Sequence, residues 1–466
     1  MCRFGSWRNW TGARFGGFLL LVASAVAAQS LPQAPQPGSA SATTAVPARP
    51  ATSLTLYQAI AVAVKSDPLF ATAVANSKSA RLDAAISRSA LLPNATANGV
   101  YTYTQASGFF NKDAPGGLQA LPLFVANDSI HEYWAQILVN QNISLANLAT
   151  YRRSRAQAAQ ASADLESARR DLVARVVSAY FSVVNTAEKA GVAQRALDEA
   201  QSFDDLTKKL EAGREVAHAD VVKADLELQQ RQREYANAQL AEEKARLDLG
   251  VLLFPDPRTP YTLADQNQPL APLPDEAAIE TAASRQNPDL RSALEALHAA
   301  QSAVAAARFA YLPAIGFNYT WGINAPELAA NGRDGVRNLG YSASATINVP
   351  LWDWFATQDR VRQSEYREKA ARAALTNTQR LLIAQLDEFY QEAQVATDQV
   401  ASLRTSVATA RESLRLTRLR YQAGEALALE VVDAENSLAV AEDALTDGIL
   451  RSRVARANLQ TLTGVL

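Results

Sequence analysis

The sequence predicts a mainly α fold with a membrane β part: long antiparallel coiled-coil helices plus four short strands per chain. Three observations predict it. From Ala356 to Ala423 there is no glycine or proline, while apolar residues recur at heptad spacing. Four short segments alternate apolar with small or polar side chains, as strands with two unlike faces do. The whole pattern is also written twice. Aromatics are only 7% of the 466 residues and alanine supplies much of the 48% hydrophobic content, which suits walls of close-packed helices better than a broad core.

Residues 1–28 read as an export signal. Arg3, Arg8 and Arg14 precede an apolar run from Phe15 to Val26, and Ala25-Val26-Ala27 offers a small-residue cleavage site. The run is too short to span a bilayer comfortably. Cleavage would remove three arginines and no acids, taking the net charge from −2 to −5. That mild acidity gives no reason to expect nucleic acid as a partner. Cys2 is the only cysteine, so the mature chain needs no disulfides. Residues 29–53 are mostly Pro, Ala, Ser, Thr and Gln, the composition of a flexible linker.

Two structural repeats follow, 54–257 and 276–466, joined by a proline-rich linker, 258–275. Leu92-Pro93 and Leu312-Pro313 are 220 residues apart, as are Asp67-Pro68 and Asn287-Pro288. Each of Pro68 and Pro288 opens an apolar-periodic stretch, the place of proline in a first helical turn. Further on, Glu211-Ala212-Gly213 pairs with Gln422-Ala423-Gly424, and Asp220-Val221-Val222 with Glu430-Val431-Val432, at offsets of 211 and 210. Each repeat is expected to run helix, strand, strand, very long helix, glycine break, helix.

In the second long helix Leu382, Phe389, Ala396 and Leu403 form one heptad series, and Leu386, Ala393, Val400, Val407, Leu414 and Tyr421 the other. The first repeat matches more weakly through Leu172, Val176, Ala179 and Val183. A helix from Ala356 to Tyr421 is about 100 Å long at 1.5 Å per residue. Helices near 276–312 and 427–463, end to end, roughly match it, giving a two-layer antiparallel rod.

The strand segments place Ile315, Phe317, Tyr319, Trp321 and Ile323 on one face, and Tyr341, Ala343, Ala345, Ile347 and Val349 on another. In the first repeat Tyr101 and Tyr103 belong to one strand, and Tyr133, Ala135, Ile137 and Val139 to the next, across a loop from Ser107 to Asp128. Such alternation marks transmembrane barrel strands, with Tyr101, Tyr103, Trp134, Tyr319 and Trp321 as interface aromatics. Four strands cannot close a barrel, and an open edge in lipid leaves backbone groups unpaired. Two chains would supply eight strands and three would supply twelve. The alternative is a periplasmic structural or adaptor coiled coil with soluble β-hairpins.

These junctions, the duplication and the tip segments "KKLEAGREVAHADVVKAD" (208–225) and "RLRYQAGEALALEVVDAENSL" (418–438) resemble the TolC-like outer-membrane efflux protein family over about residues 54–466. The resemblance implies a homotrimer whose twelve-stranded barrel, in outer-membrane lipid, continues into a shared α-barrel across the periplasm. It implies a channel or exit duct for efflux or type I secretion, docked to a periplasmic adaptor and an inner-membrane transporter. The hairpin tips at Gly213, Arg214, Gly424 and Glu425 would meet the adaptor. Glu430, Asp433 and Asp220 match the family's gate acids, and Ile315, Phe317, Tyr319 and Trp321 would face lipid. The family often has Asp where Glu430 stands. The Gly424-Glu425-Ala426 tip lacks the basic residue that some members use as a latch, and Arg214 and Arg420 are the substitutes at hand.

Glu430 and Asp433, three residues apart, lie on one helical face, so three copies would set six carboxylates around one axis. No enzyme is expected. His131, His218 and His298 lack partners at metal-ligand spacing, no phosphate loop or nucleophile motif is present, and no cofactor is called for.

Overall fold

A computed structural model describes residues 52–104, 131–264, 273, 275–333 and 335–463. The signal segment, the linker as far as residue 51, the loop Ser107–Asp128 and residues 265–272 of the inter-repeat segment lie outside the described residues.

The order is β1 (Thr52–Leu54), α1 (Leu56–Ser66), α2 (Pro68–Ser89), β2 (Asn94–Tyr103), β3 (His131–Ile143), α3 (Leu145–Ala212) and α4 (His218–Leu253). It then recurs as β4 (Tyr261–Leu263), α5 (Glu276–Gln286), α6 (Pro288–Phe309), β5 (Ala314–Ala325), β6 (Leu339–Asn348), α7 (Ala356–Gln422) and α8 (Ala428–Thr463).

Local chemistry sets the boundaries. Asp67 caps α2 by accepting from the Phe70 amide at 2.7 Å, and Asn287 caps α6 by accepting from Leu290 at 3.0 Å. Pro68 and Pro288 then fill the first helical positions, where no amide is needed. The expected helix 276–312 is therefore two, because the cap at Asn287 and the proline after it end α5 and start α6. Ser144 starts α3 by accepting from the Asn147 amide at 3.1 Å.

The heptad positions are where the helices meet. Leu382, Leu386, Ala393, Ala396, Val400, Val407, Leu414 and Tyr421 of α7 are all buried, against α8 below and α6 above. The small alanines on these seams let helix axes approach closely. Helix α3 packs against α2 and α4 on one side and α6 and α8 on the other. At mid-length α1 covers Leu172, Val176, Tyr180 and Leu249, and α5 likewise covers Leu382, Leu386 and Leu459.

Thr52 and Ser53, grouped with the linker by composition, belong to β1, which pairs in parallel with β4 inside the inter-repeat segment. This pair closes the core cluster of Leu54, Tyr180, Leu249 and Tyr261.

The other strands form one antiparallel sheet in the order β2-β3-β5-β6, so the two repeats share a sheet instead of making two hairpins. Its register carries the alternation across all strands. Ala97, Ile137, Trp321 and Tyr341 form one row, Ala95, Val139, Tyr319 and Ala343 the next, and Ile143, Ile315 and Ile347 another. Directly opposed residues share a face, so these rows build a mainly apolar surface, interrupted on β3 by Gln141 opposite Phe317. The other face carries Asn94, Asn140, Asn318 and Ser344, with Thr96, Thr320 and Ser342 beside them. Trp134, expected among the interface aromatics with Tyr319 and Trp321, instead pairs with Val100 and Asn324 on this second face, one residue out of phase with the apolar rows. Gly322 has φ +151, and a Cβ there would lie 2.2 Å from the Ala135 carbonyl oxygen, so this close approach requires glycine.

Candidate functional site

The two helical hairpins α3–α4 and α7–α8 end together. Phe203, Ala224, Tyr421, Val431 and Val432 form a buried cluster that draws residues from all four helices. The Phe203 and Tyr421 rings meet edge to face at 5.2 Å.

Both tips close with the same helix-ending motif. In the first, the Glu215 amide donates to Leu210 O at 2.9 Å and Arg214 to Glu211 O at 2.8 Å. In the second, Glu425 donates to Arg420 O at 2.8 Å and Gly424 to Tyr421 O at 3.0 Å. The left-handed position is Arg214 (φ 63) in one and Gly424 (φ 75) in the other. Arg214, not Gly213, is thus the counterpart of Gly424, and Gly213 keeps a helical φ of −74. The expected offset of 211 becomes 210, and the tips align throughout with Asp220 and Glu430.

Asp220 and Glu430 each occupy the third position of a helix, α4 and α8, where a negative charge favours the N-terminal dipole. Glu430 accepts from the Leu427 amide at 3.2 Å and pairs with Arg420 at 3.3 Å, while Arg420 also donates to the Glu425 carbonyl at 3.1 Å. Of the two substitute cations, Arg420 is the one that reaches Glu430. Both partners are about half exposed, so the pair contributes only about 0–1 kcal/mol. Asp433 is exposed one turn further along α8. Asp220 lies apart from that pair: its charge bears on Tyr421, whose hydroxyl is pushed up to about 12 chiefly by burial and secondly by Asp220. Glu425 and Gly213 are exposed at the tips.

Behind the tip lies a charge network that helix-face reading treats as solvated. Arg418 of α7 bridges Glu435 of α8 at 2.6 Å and Glu199 of α3. Glu442 of α8 takes Arg411 at 2.7 Å and Arg195 of α3 at 3.2 Å. Burial pushes the Glu435 carboxyl up, against the pull of Arg418. A cavity of about 670 Å³ opens between these helices, lined in part by Arg195, Glu199, Arg231, Arg418 and Glu442. The signal for it was present. Arg418/Glu435 and Arg411/Glu442 step seven residues in opposite directions from the tip, as facing residues of an antiparallel hairpin must.

At the other end, Ile315, Phe317, Tyr319 and Trp321 are all exposed on the apolar face, Phe317 by 47%. Strands β2, β3, β5 and β6 have 10, 13, 12 and 10 residues, the length of membrane-crossing strands. No described helix is long and apolar enough to cross a membrane. The histidines have local partners: His131 with Tyr101 at 2.9 Å, His218 with Glu211 at 2.7 Å and His298 with Glu295 at 3.5 Å.

Known proteins combine the same parts. OprJ, an outer membrane protein of Pseudomonas aeruginosa, is 25% identical over 300 residues, covering 63% of this chain and 61% of OprJ, less than two thirds of its length. AprF, the alkaline protease secretion protein of the same organism, is 23% identical over 418 residues, covering 87% of this chain and 83% of AprF. The solved structure of the Campylobacter jejuni CmeC outer membrane channel superposes with a TM-score of 0.76 at 18% identity, over 88% of this chain and 85% of that one. The profile of the outer membrane efflux proteins matches residues 59–253 and 281–465, one segment in each run of repeated elements. The chain belongs to the outer membrane efflux protein family.

Proposed function

We propose that three copies of this chain form an outer-membrane exit duct that extends into the periplasm. The observation that carries this reading is that sheet and helices are open on the same two sides. Strands β2 and β6 are the unpaired edges of the sheet. Helices α2 and α4 flank one side of α3, and α7 lies beyond α6 and α8 on the other. Because β2 and β6 run in opposite directions, the β6 of one copy can pair antiparallel with the β2 of the next. Three copies give a barrel wide enough for passage, whereas eight strands are filled by their own side chains.

In this reading residues 1–28 are the export signal, 29–51 the linker that leads into β1, 52–257 and 276–466 the two repeats, and 258–275 their connection. Ile315, Phe317, Tyr319 and Trp321 face lipid. The tips at Gly213, Arg214, Gly424 and Glu425 dock a periplasmic adaptor, which couples the duct to an inner-membrane transporter. Glu430, Asp433 and Asp220 form the gate, with Arg420 holding Glu430 against its own helix. The cargo is small molecules or a polypeptide, the latter as the name of AprF states for its own substrate.

Fractionation tests the reading. The chain should sediment with outer membranes and run as an oligomer that boiling collapses; recovery in the soluble fraction removes the duct. In planar bilayers, Glu430→Ala/Asp433→Ala should lower cation preference and relieve block by divalent cations. Unaltered selectivity and block would take the gate away from these two acids.

A further inference from the structure

The two strand-to-helix junctions on the periplasmic side of the sheet are unequal. In the first repeat β3 ends at Ile143, Ser144 caps, and α3 begins at Leu145. In the second, seven residues, Val349-Pro350-Leu351-Trp352-Asp353-Trp354-Phe355, separate β6 from α7. This insertion is a knuckle of aromatic rings. Trp352 meets Trp354 at 5.8 Å and Phe355 at 5.2 Å between ring centroids. The rings pack on each other and still face outward: Leu351 is 90% exposed, Trp354 82% and Trp352 65%.

The backbone holds them there at a cost. Trp354 and Phe355 have φ values of 56 and 64, two successive left-handed residues at positions that favour glycine. Asp353 fastens the turn by accepting from the amide of Thr357, the second residue of α7, at 2.8 Å. Strain at consecutive bulky residues persists only where the surroundings repay it. Within the described chain nothing covers these rings.

We infer that Trp352, Trp354 and Phe355 form an anchor that inserts into the periplasmic-side interface of the outer-membrane bilayer. The inference rests on the reading of the sheet as a membrane barrel. Continuity supplies the occupant. The apolar row of β6, Tyr341, Ala343, Ala345 and Ile347, runs on into exposed Val349 and Leu351 and ends at the knuckle. Tryptophan is the residue type favoured where hydrocarbon gives way to headgroups, because its ring is apolar and its indole N–H wants a polar partner. The rival occupant is a second copy, since the α2–β2 junction of a neighbour, with exposed Leu92, would arrive beside the β6 edge.

Single-tryptophan proteins test the anchor. Full-length chains that keep only Trp354, or only Trp321, with the remaining tryptophans replaced by phenylalanine, are reconstituted in phosphatidylcholine vesicles brominated at shallow or deep acyl positions. Heat-modifiable migration first checks that each has assembled. Trp354 should be quenched about twofold more by shallow than by deep bromines, as for an interfacial ring. Trp321 should be quenched by deep label. Trp354 unquenched with Trp321 quenched overturns the anchor, and blue-shifted Trp354 emission in that case assigns the knuckle to a neighbouring copy. If neither is quenched, the membrane reading of the strands falls with it.

Discussion

Helices α3 and α7 are twins in length, 68 and 67 residues, yet they lead different lives. Helix α3 is buried on two sides. Leu172, Val176, Tyr180 and Val183 form one seam, and Val173 and Val177 form a second that reaches Ala457 of α8. Helix α7 has one seam, facing α6 and α8, and touches α3 near the tip through Arg418 and Tyr421. Its outer face leaves Leu381, Ile383, Val395, Leu416 and Leu419 exposed. The opposite flank of the chain is similarly bare, with Leu82 and Ile86 on α2 and Leu226, Leu240 and Val251 on α4. The same repeat unit is therefore an interior wall in one position and a rim in the other. A duplicated chain that closed on itself would have no rim; in the duct proposed above, the neighbours of α7 are the α2 and α4 of another copy.

The largest expected effect falls on the interior wall. Leu172→Ala should cost about 2–5 kcal/mol in the thermal unfolding of the helices, followed by circular dichroism, while Leu381→Ala should cost far less in dissociated chains. Equal losses would erase the distinction between wall and rim. Next is the rim itself. Ile383→Asp should leave the fold of a single chain intact but raise the dissociation concentration of the oligomer at least about tenfold, read by sedimentation. An oligomer indifferent to that charge would mean that α7 simply faces water.

The tips sharpen the comparison at smaller scale. Arg214 sits in the left-handed position that Gly424 fills in the other repeat, so Arg214→Gly should stabilise by about 1 kcal/mol in thermal unfolding. A loss of stability would show that the guanidinium makes a contact worth more than the strain. The smallest effect is at Tyr421, whose buried hydroxyl has no hydrogen-bond partner among the described residues. Tyr421→Phe should shift stability by less than about 0.5 kcal/mol at neutral pH. The change lies in alkali. The folded state keeps the hydroxyl proton up to about pH 12, whereas an unfolded tyrosine loses it from about pH 10. Stability from this group is thus complete below about pH 10 and is lost as the pH rises towards 12. Tyr421→Phe should flatten that decline in a pH series of melting temperatures, and an unchanged decline would assign it to other groups.

Much of this was legible in the residues because the patterns are long. Heptads over α7 mark its seam, and the alternation of β5 and β6 survives as a face of the sheet. The Leu-Pro pairs mark the turns where helix gives way to strand. The short features escaped. Three residues of β1 and three of β4 carry no periodicity, so their pairing was hidden within linker composition. Trp134 is one residue out of phase, which only register reveals. The offset of the tips hinged on which residue turns left-handed, and a glycine in sequence is a poor guide when an arginine can take that place. The pairing of Arg418 with Glu435 is written in the seven-residue steps on either side of the tip, but it is readable only once the register of the hairpin is fixed. The reading of Glu430 and Asp433 as gate acids comes from resemblance and remains a proposal; their spacing alone describes any solvated helix.

Because Thr52 pairs with Tyr261, the first strand to be synthesised waits 209 residues for its partner. Until then the slot around Leu54, Tyr180 and Leu249 stays open, for β4 supplies Tyr261 to that cluster. A chain interrupted before the crossover is therefore recognisable by an unfinished apolar seam at the waist of its first half. Completion of that half therefore waits on the segment that joins the repeats, and the slot closes once β4 has been made, before α5 begins.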